Sequence, residues 1–484
     1  MSTSRERAAR SIGPIRVMAA KELRESLRDG RFRWLAISVL ILLAAGLIAG
    51  GLETREAQEA IALAEEAERQ TWEGQGPRNP HSAAHFGNYA FKPRPMLSSL
   101  DRGVDAYLGT AVWLEAHWQD PFALRPAEDR TAVQRFGELT AAFTLQVLVP
   151  LLIIVLGFSA FAGERERGTW LHLASLGLDG RTLAFGKALG LGAALALVLL
   201  PAGLLTLGLA AWGGSVGATA VLLLVYAAYF VTWLGLVLAV SAWASTARTA
   251  LVVLLGFWML QALVVPRLVA DIAESAVPVP TPRAFFAAIA EDEAQGMDGL
   301  GDRAERRQAL EEKTLAEYDV ASLDELPINF AGLSLQASEE HSNLVYDKHY
   351  GDLWRRYLDQ ERLHVWGAVL SPRLAVRALS MAVAGTDVSR HRHFAEAAEL
   401  HRRELVKFLN QDMIENAGAN SFGYMADEEL WRATPAFSYQ PPGLDESLAR
   451  QGLAVVCLVV WLVGALAFAV VAVSRQRVVA GAGS

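Results

Sequence analysis

Six stretches of this sequence are apolar over about the 20 residues that a helix needs to cross a hydrocarbon core ~30 Å thick. They are Trp34–Leu52, Leu139–Ala160, Ala188–Ala211, Gly217–Val240, Thr249–Ala270 and Gly452–Val473. With 52% hydrophobic and 20% charged residues over 484 positions, the chain is too apolar for an ordinary soluble protein of its size. The expected fold is therefore an all-α polytopic membrane protein with six transmembrane helices. An even number of spans places both termini on one side.

The distribution of Lys and Arg indicates which side. Residues 1–33, 161–187, 241–248 and 474–484 together hold 16 basic and 7 acidic groups. Residues 53–137 hold 9 basic and 13 acidic groups, and residues 271–450 hold 18 and 31. Short basic loops and basic span ends mark the cytoplasm, so both termini and the 161–187 loop are expected there. The two long acidic segments then face outward. The overall charge of -8 hides this asymmetry, and no basic, aromatic-interleaved patch points to nucleic acid.

The first apolar run follows a basic leader of about 33 residues, is too long for a signal-peptide core and lacks a small-residue cleavage site, so it reads as a retained span. The only cysteine, Cys457, lies in the last span; it excludes an intrachain disulfide and reads as a small packing residue. Residues Ile12 to Asp29 predict an amphipathic helix lying in the headgroup layer. Its apolar side carries Ile15, Met18, Leu23 and Leu27, with Arg16, Lys21, Arg24 and Arg28 around them.

After the first span, strong helix formers continue to about Gly74, so the helix is expected to project from the membrane. Pro and Gly then dominate to Pro95, and Val104–Trp118 reads as a short helix. Residues 53–138 thus form a first outer domain. A second, residues 271–451, opens with the helix-stopping VPVPTPR and reads as helical at Arg303–Tyr318, Glu339–Trp366, Pro372–Val383 and Arg390–Ile414. Both domains are expected to be mainly helical, with little strand alternation.

Enzymatic motifs are missing. GLDGRTLAFGKALG resembles a phosphate loop but has Arg181 where the first glycine belongs and Ala188 where a hydroxyl belongs, so no ATP site is assigned. HExxH does not occur, and the G-x-S-x-G match Gly213–Gly217 falls in the short gap between two apolar runs, not on the strand-to-helix turn of a hydrolase elbow. His81 and His85 sit four apart, and His391, His393 and His401 cluster later in the chain. Such groups are most often solvated or hydrogen-bonded, so no metal is assigned. Pro150 and Pro201 are expected to free helix carbonyls that find partners within the bundle. Gln146 and Gln261 are the span residues expected to face its interior, lining either a path, a subunit interface or simply another helix.

Between the second and third spans stands FAGERERGTW, Phe161–Trp170, with four consecutive charges. Together with the basic amphipathic leader, Leu173-Ala174-Ser175, Arg181 and Lys187, this arrangement resembles ABC-transporter permeases of the type-two exporter class. The segments HSAAHFGNYAFKPRPMLSSLDRGVDAYLG, AVWLEAHWQD and SPRLAVRALSMAVAGTDVSRHRHF resemble a subfamily with two large outer domains of poorly known function, usually grouped with export systems and with the maturation of copper enzymes.

The resemblance implies that Glu164, Arg165, Glu166, Arg167, Gly168 and Thr169 contact a cytoplasmic ATPase subunit, with Trp170 to Leu178 completing the coupling element. It also implies two ATPase copies, a second permease chain, identical or similar, and a bacterial inner membrane location. The chain itself would be non-catalytic and bind no cofactor, while ATP and magnesium would reside in the partner. The leading reading is an export permease. The alternative is a mechanotransmitter whose outer domains act on a periplasmic partner, and a weaker third is an anchored binding or hydrolytic protein without an ATPase.

Overall fold

The computed structural model describes residues 2–105, 107–120, 140–170, 180–297, 299 and 301–481. Six helical stretches are long and apolar enough to cross a membrane: Gly30–Glu73, Ala141–Glu166, Thr182–Ala211, Val216–Trp243, Ala247–Ala276 and Gly452–Arg475. The expected coarse fold, a mainly helical polytopic membrane protein, is what the chain forms.

Helix α1 (Ser2–Arg28) is separated from α2 (Gly30–Glu73) by Asp29, whose carboxylate accepts from the Arg31 amide at 2.8 Å and caps the second helix. The 44 residues of α2 give it a length of about 66 Å, well beyond a single hydrocarbon core. It ends at Gly74, after delivering Trp72 into the core of a large helical body.

Two spans are interrupted by π-helical turns, Thr144–Leu148 before α4 (Val149–Gly157) and a second at Leu260–Val264. Each turn is followed by a proline at the second residue of the next helix, Pro150 or Pro266. Proline has no N–H and its ring crowds the carbonyl four residues back, which here belongs to Gln146 or Ala262. Both freed carbonyls are satisfied from elsewhere: Tyr229 Oη donates to Gln146 O at 2.8 Å, and the Arg373 guanidinium donates to Ala262 O.

The chain continues through α5 (Ala162–Glu166), α6 (Gly180–Ala211), α7 (Val216–Trp243), α8 (Ala247–Met259) and α9 (Val265–Ala276). The central α7 buries Tyr229, Trp233 and Val237 against several neighbours. Beyond lie α10 (Pro282–Gln295), α11 (Arg303–Tyr318), α12 (Phe330–Trp366), α13 (Pro372–Ala384) and α14 (Val388–Asn416). Short α15 (Glu428–Ala433) and α16 (Leu444–Arg450) precede the last apolar helix, α17 (Gly452–Gly481). Helix α12 starts nine residues before the sequence suggests, because Asn329 caps it through the Gly332 amide.

The helix expected at Val104–Trp118 is not formed. Strands β1 (Asn88–Phe91), β2 (Ala111–Glu115) and β3 (Trp118–Gln119) make a small antiparallel sheet, with Tyr89 opposite Trp113. Ala, Leu and Glu favour helix locally, but β2 buries Val112 and Leu114 against Phe394 and Ala398 of α14, and that packing outweighs propensity. The Pro/Gly-rich stretch also contains a helix, α3 (Pro80–Phe86), with Asn79 as its cap and Pro80 in its first turn.

The two segments expected as outer domains share cores. Trp72, Ala83 and Ala84 pack with Leu405, Val406, Leu409 and Trp431, and Arg78 exchanges two backbone hydrogen bonds with Ala426. Helix α13 joins this body to the apolar helices, since Leu374, Ala375, Val376 and Leu379 lie in the same hydrophobic cluster as Leu222, Tyr226 and Val237.

Candidate functional site

The charged stretch after α4 is woven into its surroundings. Ser241 Oγ, near the end of α7, accepts from the amides of Phe161 and Ala162 at 3.0 and 3.3 Å, meeting two donors that a helix start leaves unpaired. Arg165 donates to the carbonyls of Ser241, Ala242 and Ala244, the carbonyl-rich end of α7, where a cation is favoured. Glu166 accepts from the Ala247 amide at the start of α8, where an anion is favoured. One five-residue helix therefore ties the ends of two longer ones together.

Glu164 faces the other way. Helix α1 crosses α6 so closely that a Cβ on Gly186 would lie 2.6 Å from Met18 Cβ, and one on Gly190 would lie 2.6 Å from the Ala19 carbonyl oxygen. Small residues four apart permit this approach. Lys187, between those glycines and 1% exposed, places Nζ 2.7 Å from both Glu22 Oε1 and Glu164 Oε1. Lys21 adds contacts to Glu22, Glu25 and Glu164 at 3.2–3.3 Å. Burial pulls the Lys21 ammonium down, but these three carboxylates outweigh it and leave its pKa raised. A lysine between two buried carboxylates holds α1, α5 and α6 in one arrangement.

Glu164, at 3% exposure, thus positions the stretch from within. Glu166, Arg167, Gly168 and Thr169 form its exposed tip, with Gly168 at φ 71°, a left-handed turn that glycine adopts without strain. Trp170 is half-buried, its ring edge-on to Phe161 at 6.1 Å. Residues 171–178 of the expected coupling element lie outside the described residues.

Gln146 and Gln261 are both buried in the bundle. Gln146 Nε2 donates to Tyr226 Oη at 3.1 Å, Tyr226 lies 3.0 Å from Ser380 Oγ, and Ser380 donates to Asp101 Oδ2 at 2.5 Å. This polar chain runs from an apolar helix through α13 to the sheet-bearing segment. Burial raises the Asp101 carboxyl, against the Ser380 hydroxyl and the Gly103 amide, which favour its charged form. Gln261 Nε2 donates to the Leu370 carbonyl at 2.8 Å.

A second constellation lies in the body. His81 and His85, one helical turn apart on α3 with ring centroids 4.8 Å apart, meet His117 at centroid distances of 5.0 and 5.1 Å. His117 sits in the two-residue turn between β2 and β3 at φ 64°, a left-handed conformation uncommon outside glycine. Its amide donates to Glu339 Oε1 at 2.7 Å, its carbonyl accepts from Tyr346 Oη, and Nδ1 lies 2.5 Å from Glu339 Oε1. Glu339 is buried and in turn contacts Arg402, itself held by Glu399 and Asn343. Burial raises the Glu339 carboxyl, but His117 and Arg402 win and hold it below its ordinary value. Burial and the two neighbouring imidazoles push His81 down to about 4.

The later histidines do not join this group. His391 Nδ1 lies beside Lys92 Nζ, His393 hydrogen-bonds Tyr439, and His401 packs on Phe437. His117, Glu339 and Arg402 carry no motif that the sequence displays. The His81–His85 spacing on one helical face was the only signal of the site.

The six apolar helices and the attached body define the chain as a helical, multi-pass, membrane-embedded protein. Residues 285–440 match the model of a family described as Domain of unknown function (DUF3526), a region that supplies Glu339 and Arg402. A search of curated protein sequences found no match.

Proposed function

We propose that this chain is the membrane subunit of an ATP-driven export complex, converting strokes of a separate cytoplasmic ATPase into movement of its apolar helices. The observation that carries this reading is the anchoring of α5. Its tip, Glu166 to Thr169, is exposed, while Glu164, Arg165 and the Ser241 contacts fix its base to α1, α6 and α7. A mixed-charge tip offers charge-assisted bonds to a partner. A rigid base passes displacement on to the helices it joins instead of absorbing it.

In this reading the termini and α5 face the cytoplasm, in agreement with the Lys/Arg distribution. A second permease chain completes the pathway, and ATP and magnesium stay with the ATPase. Purification in mild detergent together with the partner tests it: a nucleotide-hydrolysing subunit is expected to accompany the chain, and Arg167→Glu is expected to weaken that association. A complex without such a subunit contradicts the proposal.

One observation favours a second reading, transmission of force without transport. Helix α2 runs unbroken from α1 to Trp72 in the body, and α13 shares its apolar core with α7, so tilting of the apolar helices would be carried into the body. Removing the body distinguishes the two readings: ATP-dependent efflux that survives supports transport, whereas selective loss of a partner's maturation supports transmission.

A further inference from the structure

We propose that His81, His85 and His117 form a binding site for a single divalent transition-metal ion of the kind that prefers imidazole, zinc or copper, with the fourth coordination position open. This inference does not depend on the export reading, because it rests on the body alone. One ring nitrogen from each histidine lies within 4.8 Å of the others. Nitrogens bound at ~2.0–2.1 Å to a tetrahedral ion stand about 3.3–3.4 Å apart, and His81 Nε2 and His117 Nε2 are already 3.4 Å apart. Small rotations of the exposed His85 ring complete the set.

The surroundings have the order that metal sites need. Glu339 holds the Nδ1 side of His117, which leaves Nε2 with its lone pair turned toward His81. A carboxylate behind a ligating imidazole fixes its tautomer and strengthens its donation. That carboxylate is buried and backed by Arg402, so its position is not free to drift. His117 is kept in a left-handed conformation by hydrogen bonds at both its amide and its carbonyl, and such conformations concentrate at functional sites. The His81 ring is buried, and its Nδ1 has no hydrogen-bond partner among the described residues.

The donor set selects the ion. Three neutral imidazoles with no thiolate suit zinc or copper over calcium or magnesium, which take oxygen ligands. Three protein ligands leave one position for an outside group, and the exposed His85 is the side from which it would enter.

The test uses the full-length, tag-free protein in detergent, stripped with chelator, then titrated with Zn²⁺ and separately with Cu²⁺ and counted by elemental analysis. One ion per chain is expected, and Co²⁺ should give the intense visible bands of a tetrahedral site. His85→Ala, at an exposed position that leaves packing intact, and His117→Asn, which keeps the left-handed turn, should each weaken binding at least about tenfold. Glu339→Gln should weaken it about 10–100-fold, and His393→Ala should leave it unchanged. Absence of stoichiometric binding by the folded protein, or binding that survives both His85→Ala and His117→Asn, would overturn the proposal.

Discussion

Lys187 Nζ and Glu164 Oε1 lie 2.7 Å apart across 23 residues of sequence, both nearly inaccessible to solvent, with Glu22 completing the pair from 165 residues away. Removing the lysine leaves two buried carboxylates with only the partly exposed Lys21 beside them. Breaking a buried pair in this way costs about 3–5 kcal/mol. Lys187→Met should therefore lower the melting temperature of the detergent-solubilised chain, and adding Glu164→Gln should recover part of the loss. Equal melting of wild type and Lys187→Met would show that the cluster carries no such weight.

Ser241→Ala removes the acceptor for two amides at once. Each stranded buried donor costs about 1–3 kcal/mol, so the base of α5 should loosen while the apolar helices stay folded. Hydrogen exchange measured by mass spectrometry should rise at residues 161–166 and remain unchanged in α17.

Tyr229→Phe leaves the Gln146 carbonyl, already freed by Pro150, without its donor. The expected loss is about 1–3 kcal/mol, readable as a lower denaturation midpoint. Tyr226→Phe instead cuts the Gln146–Ser380 link and should alter the coupling of body to bundle more than stability, an outcome that exchange in α13 would report.

Glu361 is pushed up to about 7, first by burial and then by Asp387, against Arg450. Its folded pKa lies above the ordinary 4.5, so the folded chain holds a proton that the unfolded chain releases between about pH 4.5 and 7. Stability from this group is full below pH 4.5 and is lost as pH rises through about 7. Glu361→Gln should flatten that slope and raise the melting temperature at pH 8 relative to wild type.

The features legible in the sequence were those set by local pattern. Apolar runs of about 20 residues announce the spans, and α11 starts at Arg303 because Asp302 and Glu305 form a capping box readable four residues at a time. The candidate sites depended on distant residues. Glu339 meets His117 across 222 positions, and the turn that holds His117 has neither Gly nor Asn to mark it. Strand β2 reads as a helix until α14 supplies the surface it buries. In FAGERERGTW four charges look equally solvated; only the fold shows Glu164 turned inward, Arg165 spent on carbonyls and Glu166 to Thr169 left outside.

The role proposed for this tip is to dock an ATPase. The direct measurement uses a chain with Cys457→Ala and Arg167→Cys, so that the only thiol stands on the tip, and applies a short bifunctional cross-linker to the complex purified in mild detergent. A cross-link between position 167 and a nucleotide-hydrolysing subunit is expected, with no such product when the thiol is placed instead by Glu305→Cys in the body. A complex that yields no ATPase adduct from position 167, or yields it equally from position 305, would contradict the claim.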